Sequence, residues 1–148
     1  MTLFDATPLR PGSADFPLFL HVLGAMTLVG ATLAATALAW AGNGRAPAAR
    51  ASFRTLLLVA IPAWVLMRAG AQWVYSREGY TGKHDPGWLG VGFNVADPGL
   101  LVLLLATGFA YWWSRRAGTG WQGRATAALA SLYLALLAVA WWAMAGKP

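Results

Sequence analysis

The chain has 148 residues, 58% of them hydrophobic and 11% charged, with a formal net charge of +6. That length makes one domain, but so apolar a balance lies outside the range of soluble globular proteins and points to the bilayer as solvent. Cysteine is absent, which excludes disulfides, thiolate metal sites, a cysteine nucleophile and covalently attached c-type haem.

A helix crossing a hydrocarbon core of about 30 Å needs about 20 largely apolar residues, and four stretches meet that length. The first, 17–40, has no formal charge. Its lead-in, MTLFDATPLRPGSAD, is mixed and proline-containing, and the apolar run after it is full length, so the first span is expected to be retained rather than cleaved. Thr27, Ala31, Ala35 and Ala39 recur every four residues, and such a stripe of small side chains is expected to pack within the bundle.

The second span, 53–75, is charged inside only at Arg54 and Arg68. Pro62 lies within it and is expected to kink it, leaving the carbonyl of Leu58 without its usual donor. The connection that follows, residues 76–90, opens a glycine- and proline-rich stretch that runs on to Gly99, so a plain helix throughout is not expected. Part of it is expected to fold back over the bundle. The third span is placed at 91–113; within it ADPG reads as a helix start, with Asp97 as N-cap and Pro98 in the first turn. The fourth is 125–145, and no internal repeat relates the four.

The charge follows the loops. GNGRAPAARASFR carries Arg45, Arg50 and Arg54, and SRRAGTGWQGR carries Arg115, Arg116 and Arg124, with no acid in either. Elsewhere Arg10, Arg77, Lys83 and Lys147 are balanced by Asp5, Asp15, Glu78 and Asp85. By the positive-inside rule the arginine loops face the cytoplasm and both termini face outward. Basic loops beside anionic lipid account for the charge without nucleic acid. Tryptophans and tyrosines, Trp40, Trp73, Tyr75, Trp112, Trp113, Trp121, Trp141 and Trp142 among them, gather near span ends, where amphipathic rings favour the headgroup region.

Helical rise of about 1.5 Å per residue places several polar residues at one depth near the outer side. These are Arg68, His21, Asn94 and Asp97. A charged side chain in hydrocarbon costs at least about 2.5–3.5 kcal/mol, so it turns inward and finds partners. Trp64, Arg68 and Gln72 share one helix face at four-residue spacing, and Asp97 is the acid within reach of a span. The expectation is an outer-side polar pocket in which Arg68 pairs with Asp97, with Gln72, Asn94 and His21 at its edges. The bland readings are snorkelling of Arg68 to the headgroups, capping by Asp97, and a structural bridge with no ligand.

His21 is the histidine within a span. A haem b held by two histidines would take His84 as its second ligand, and a zinc or copper site would draw on His21, His84 and Asp85 at no recognisable spacing. Met26 and Met67 read as packing. No nucleophile and base pair, phosphate loop or HExxH signature is present, so catalysis has little support.

LHVLGAMTLVGATLAATALAW, residues 20–40, resembles the first helix of a bacterial group of small integral membrane proteins of unknown function. PAWVLMRAGAQWVYSREGY followed by DPGWLGVGFNVADPG is similar to its actinobacterial-type members, and the resemblance runs over most of the chain. It implies a four-helix fold and a multi-pass location in the bacterial cytoplasmic membrane, and no activity. A looser similarity, an early histidine followed by small residues, is to four-helix membrane proteins that carry haem or copper.

The sequence therefore predicts an all-α, four-transmembrane-helix bundle with both termini out. Its expected role is a non-catalytic component or accessory subunit in contact with lipid, with other membrane proteins or with its own copies. The alternatives are a redox protein binding haem or quinone, and an oligomeric transporter or channel subunit.

Overall fold

A computed structural model describes residues 15–42, 44–79, 87–117 and 120–145. Among these every regular element is helical: a first helix Asp15–Ala41, a second Ala46–Arg77, a third Gly87–Arg115 and a fourth Gln122–Ala145. All four are long and apolar enough to span a bilayer.

Two helix starts and the turn before Pro62 differ from the sequence reading, each for a physical reason. The second helix begins at Ala46, because Pro47 suits a first turn and Ala48, Ala49 and Ala51 are strong helix formers, so most of the first arginine loop is helical. Pro62 is accommodated by a wide turn at Leu56–Ala60, in which the Ile61 N–H donates to the carbonyl of Leu56, five residues back, and the helix continues to Arg77. The third helix starts at Gly87, so Pro98 lies inside it and Asp97 is not a cap. Pro98 leaves the carbonyl of Asn94 without its usual donor; close by, the Trp64 indole N–H donates to the carbonyl of Ala96 at 3.1 Å and ties the second helix to the third. The connection between the second and third helices is shorter than expected. Its residues 80–86, including His84 and Asp85 and most of the expected fold-back, lie outside the described residues.

The helices form a ring in which each packs on its chain neighbours and the fourth closes against the first. Backbone contact locks the first pair. A side-chain carbon on Gly24 would strike the backbone of Met67 and Ala63, and one on Gly70 would lie 2.9 Å from His21 Cα and Pro17 O. Small residues let these backbones meet, as helix pairs in lipid require. The buried row of the first helix runs through Gly24, Leu28, Ala31, Ala35 and Ala39; Thr27 lies off it, exposed, because the contact follows Gly24 rather than Thr27. Buried hydroxyls satisfy themselves locally or across the pair: Thr32 donates to Leu28 O at 2.7 Å, and Ser52 to Ala35 O at 3.2 Å.

Aromatic rings on glycines lock the other hairpin. The Tyr133 ring occupies the space a side chain on Gly99 would need, and the Trp113 ring does the same at Gly123. Both rings are fully buried. Trp113 thus leaves the aromatic belt expected for it, whereas Trp40, Trp73, Trp112, Trp121, Trp141 and Trp142 are exposed.

The seam between the second and third helices is different. They pack closely along Ala46–Ala60 and only sparsely beyond Ile61, so they separate toward the end of the bundle opposite the arginine loops, here called the distal end.

If backbone contact holds the first pair, Gly70→Val overpacks it, costing about 1–3 kcal/mol. Gly30, with open space around it, serves as control. Thermal denaturation in detergent is expected to show a lowered midpoint for Gly70→Val and none for Gly30→Val; equal midpoints would contradict the packing described.

Candidate functional site

The separated part of the seam is where the sequence placed its polar face. Trp64, Arg68 and Gln72 succeed one another at one-turn intervals on the second helix, and all three engage partners along the seam. Arg68 Nε donates to Asp97 Oδ1 on the third helix at 2.9 Å, and a terminal guanidinium nitrogen donates to Gln72 Oε1 at 3.0 Å. The guanidinium carbon lies 4.7 Å from the centre of the Phe93 ring, one turn ahead of Asp97. A cation over an aromatic face gains on the order of 0.5–2 kcal/mol, more as water is removed. Further toward the distal end, Tyr75 meets the same Phe93 ring edge-on at 5.5 Å.

Three side chains of the expected pocket, Arg68, Asp97 and Gln72, are thus brought into one bonded group. Arg68 is paired in the bundle rather than extended alone toward the headgroups. Phe93 is the member that sequence reasoning missed. Its four-residue spacing to Asp97 was the available signal, hidden by the glycines around it.

The two remaining residues stand apart. Asn94 is exposed and makes no hydrogen bond with a described residue. His21 sits at the contact of the first and second helices, where Nδ1 bonds the Met67 carbonyl at 2.9 Å. A carbonyl can only accept, so Nδ1 is the donor of this bond. Among the described residues no group of three His, Asp or Glu side chains is placed to hold a metal.

The pair is open on one side. Side-chain exposure is 25% for Arg68 and 55% for Asp97. Among the described residues Arg68 uses two of its five N–H donors, and the second carboxylate oxygen of Asp97 and the amide nitrogen of Gln72 have no partner. Away from this seam lie other buried polar atoms with no partner among the described residues: the Tyr133 hydroxyl in the core, and the Trp113 indole and the Gln122 amide near the arginine loops. Comparison with protein-family models, with curated proteins and with solved structures finds no match to this chain.

A double-mutant cycle tests the pairing. Arg68→Ala and Asp97→Ala are each expected to lower thermal stability in detergent, and the double variant to lose less than their sum, with a coupling of about 0.5–3 kcal/mol. Strict additivity would mean the two side chains do not interact.

Proposed function

We propose that the chain is a small multi-pass component of a bacterial cytoplasmic membrane, with both termini outside and the arginine loops inside, that holds a small ligand or a partner at the open Arg68–Asp97 site rather than carrying out a reaction. The observation that carries this reading is an ion pair within two membrane-spanning helices that is bonded on one side and exposed on the other. A bridge with a purely structural task is better served by closed seams, because every unfilled valence in a low-dielectric setting costs free energy. The six arginines in and beside the two connections opposite the distal end support the orientation. The resemblance of the first helix and of the Arg68 segment to small bacterial membrane proteins agrees with the location.

A redox reading draws on His21, whose Nδ1–H is fastened to Met67 O, leaving Nε2 available to a haem iron or a quinone. The helix backbones are in contact beside His21, so a haem would have to lie on the lipid side of that contact. Service as an oligomeric transporter or channel subunit would require copies to supply the volume that four helices do not enclose. Neither reading uses the Arg68 group, and the binding reading does.

Two measurements test the proposal. After extraction in lipid discs, the wild type is expected to retain a small molecule or protein that the Arg68→Ala/Asp97→Ala variant loses; identical sets would contradict the binding role, and a Soret band abolished by His21→Ala would favour haem. In intact cells, an impermeant thiol reagent is expected to label Glu78→Cys and not Arg45→Cys. The opposite pattern would invert the orientation.

A further inference from the structure

The unfilled side of the Arg68–Asp97 group specifies the chemistry that would complete it. Among the described residues three donors of the guanidinium and the amide nitrogen of Gln72 have no acceptor, and the second oxygen of Asp97 has no donor. The pair itself is neutral. A simple anion meets Arg68 but also the carboxylate beside it, and a simple cation meets the reverse conflict. A group with a phosphate and an N–H-bearing ammonium a few bonds apart satisfies both at once.

The surroundings say where that group comes from. Asp97 shares its exposed face of the third helix with Leu101 and Leu105, which follow at four-residue spacing and are 64% and 56% exposed. Val65 and Leu58 are exposed on the second helix. The polar group therefore sits at the head of an apolar strip that runs toward the middle of the helices. Arg68 also bonds Gln72, one turn nearer the distal end, which lifts its charge toward the headgroup layer. An amphiphile with its tails along Leu101 and Leu105 and its head at Asp97 matches both halves of the strip.

We propose that this seam binds an aminophospholipid of the phosphatidylethanolamine type from the surrounding leaflet, with the phosphate on Arg68 and Gln72 and the ammonium on Asp97. This rests on the reading of the Arg68 group as a binding site. The bound headgroup replaces water that would otherwise have to reach a half-exposed carboxylate beside acyl chains. Methylation of the amine removes the N–H donors that Asp97 accepts, and replacement of ethanolamine by glycerol removes the positive charge.

Native mass spectrometry of the full chain, released from discs containing equal amounts of phosphatidylethanolamine, phosphatidylcholine and phosphatidylglycerol, tests the proposal. The wild type is expected to retain phosphatidylethanolamine about ten-fold over the other two, the discrimination one good charged hydrogen-bonding partner provides. Asp97→Asn should abolish the preference over phosphatidylcholine. Gln72→Leu, which leaves the ion pair in place, should weaken retention of phosphatidylethanolamine while helix content and melting stay close to wild type. Arg116→Gln, at the opposite end, should change nothing. Equal retention of the three lipids, retention indifferent to Asp97→Asn and Gln72→Leu, or equal binding of soluble glycerophosphoethanolamine would overturn the proposal. Loss of a different bound mass in those variants would overturn the lipid assignment and leave the site standing; loss of no mass at all would remove both.

Discussion

A guanidinium inside a membrane-spanning helix has to be partnered. Water is scarce there, and the alternatives are to leave the hydrocarbon or to find an acid and a set of acceptors. Arg68 lies nine residues from the end of the second helix at Arg77, or about 13 Å along its axis, and it takes the second course. Asp97 accepts from Nε, Gln72 accepts from a terminal nitrogen, and Phe93 covers the flat face. The contacts with Asp97 and Phe93 require the second and third helices to face one another at a set rotation, so the ion pair fixes the one seam that apolar packing leaves loose.

The division of labour among the seams follows from side-chain size. Glycines at 24 and 70 bring the first and second helices into backbone contact, and glycines at 99 and 123 receive the rings of Tyr133 and Trp113 between the third and fourth. Those contacts use dispersion at close range, the main attraction available between helices whose alternative neighbour is lipid. The distal part of the second and third helices has no such glycine contact. It is bridged instead by the Trp64 indole on Ala96 O, by the ion pair and by Tyr75 on Phe93. Two tightly packed hairpins are joined there by polar and aromatic links, and the gap between the links exposes half of a carboxylate.

Much of this was legible in the sequence. Four apolar stretches gave four helices, and the spacing of Trp64, Arg68 and Gln72 put one polar face toward Asp97, since a charge in a span limits its own choice of neighbour. The start of the third helix was not legible. Asp97 and Pro98 have the local chemistry of a helix start, and only the preceding turns, held by Phe93 on Tyr75 and on Arg68, show that the helix began ten residues earlier. The role of Gly24 and Gly70 was hidden for a related reason. A stripe of small residues does not say which of its members meets a partner, and Thr27 and Gly24 differ in that respect only once the second helix is in place. His21 shared a depth with Arg68 but not an azimuth, and depth is all that helical rise supplies.

The arginine-bearing end of the bundle and the Arg68 seam carry different electrostatics. Six arginines crowd one side with no acid among them, while Arg68 and Asp97 cancel on the other. A neutral but strongly polar seam suits a dipolar partner rather than a charged one, which sets it apart from the basic end of the bundle. The account stands on the direct bond from Arg68 to Asp97. Magic-angle-spinning NMR on protein in bilayers, with Arg68 labelled at Nε and Asp97 at its carboxyl carbon, measures that bond without mutation. The account predicts strong dipolar dephasing between the two nuclei, as an Nε to Oδ1 distance of 2.9 Å requires. Absence of dephasing would show that the guanidinium is held elsewhere.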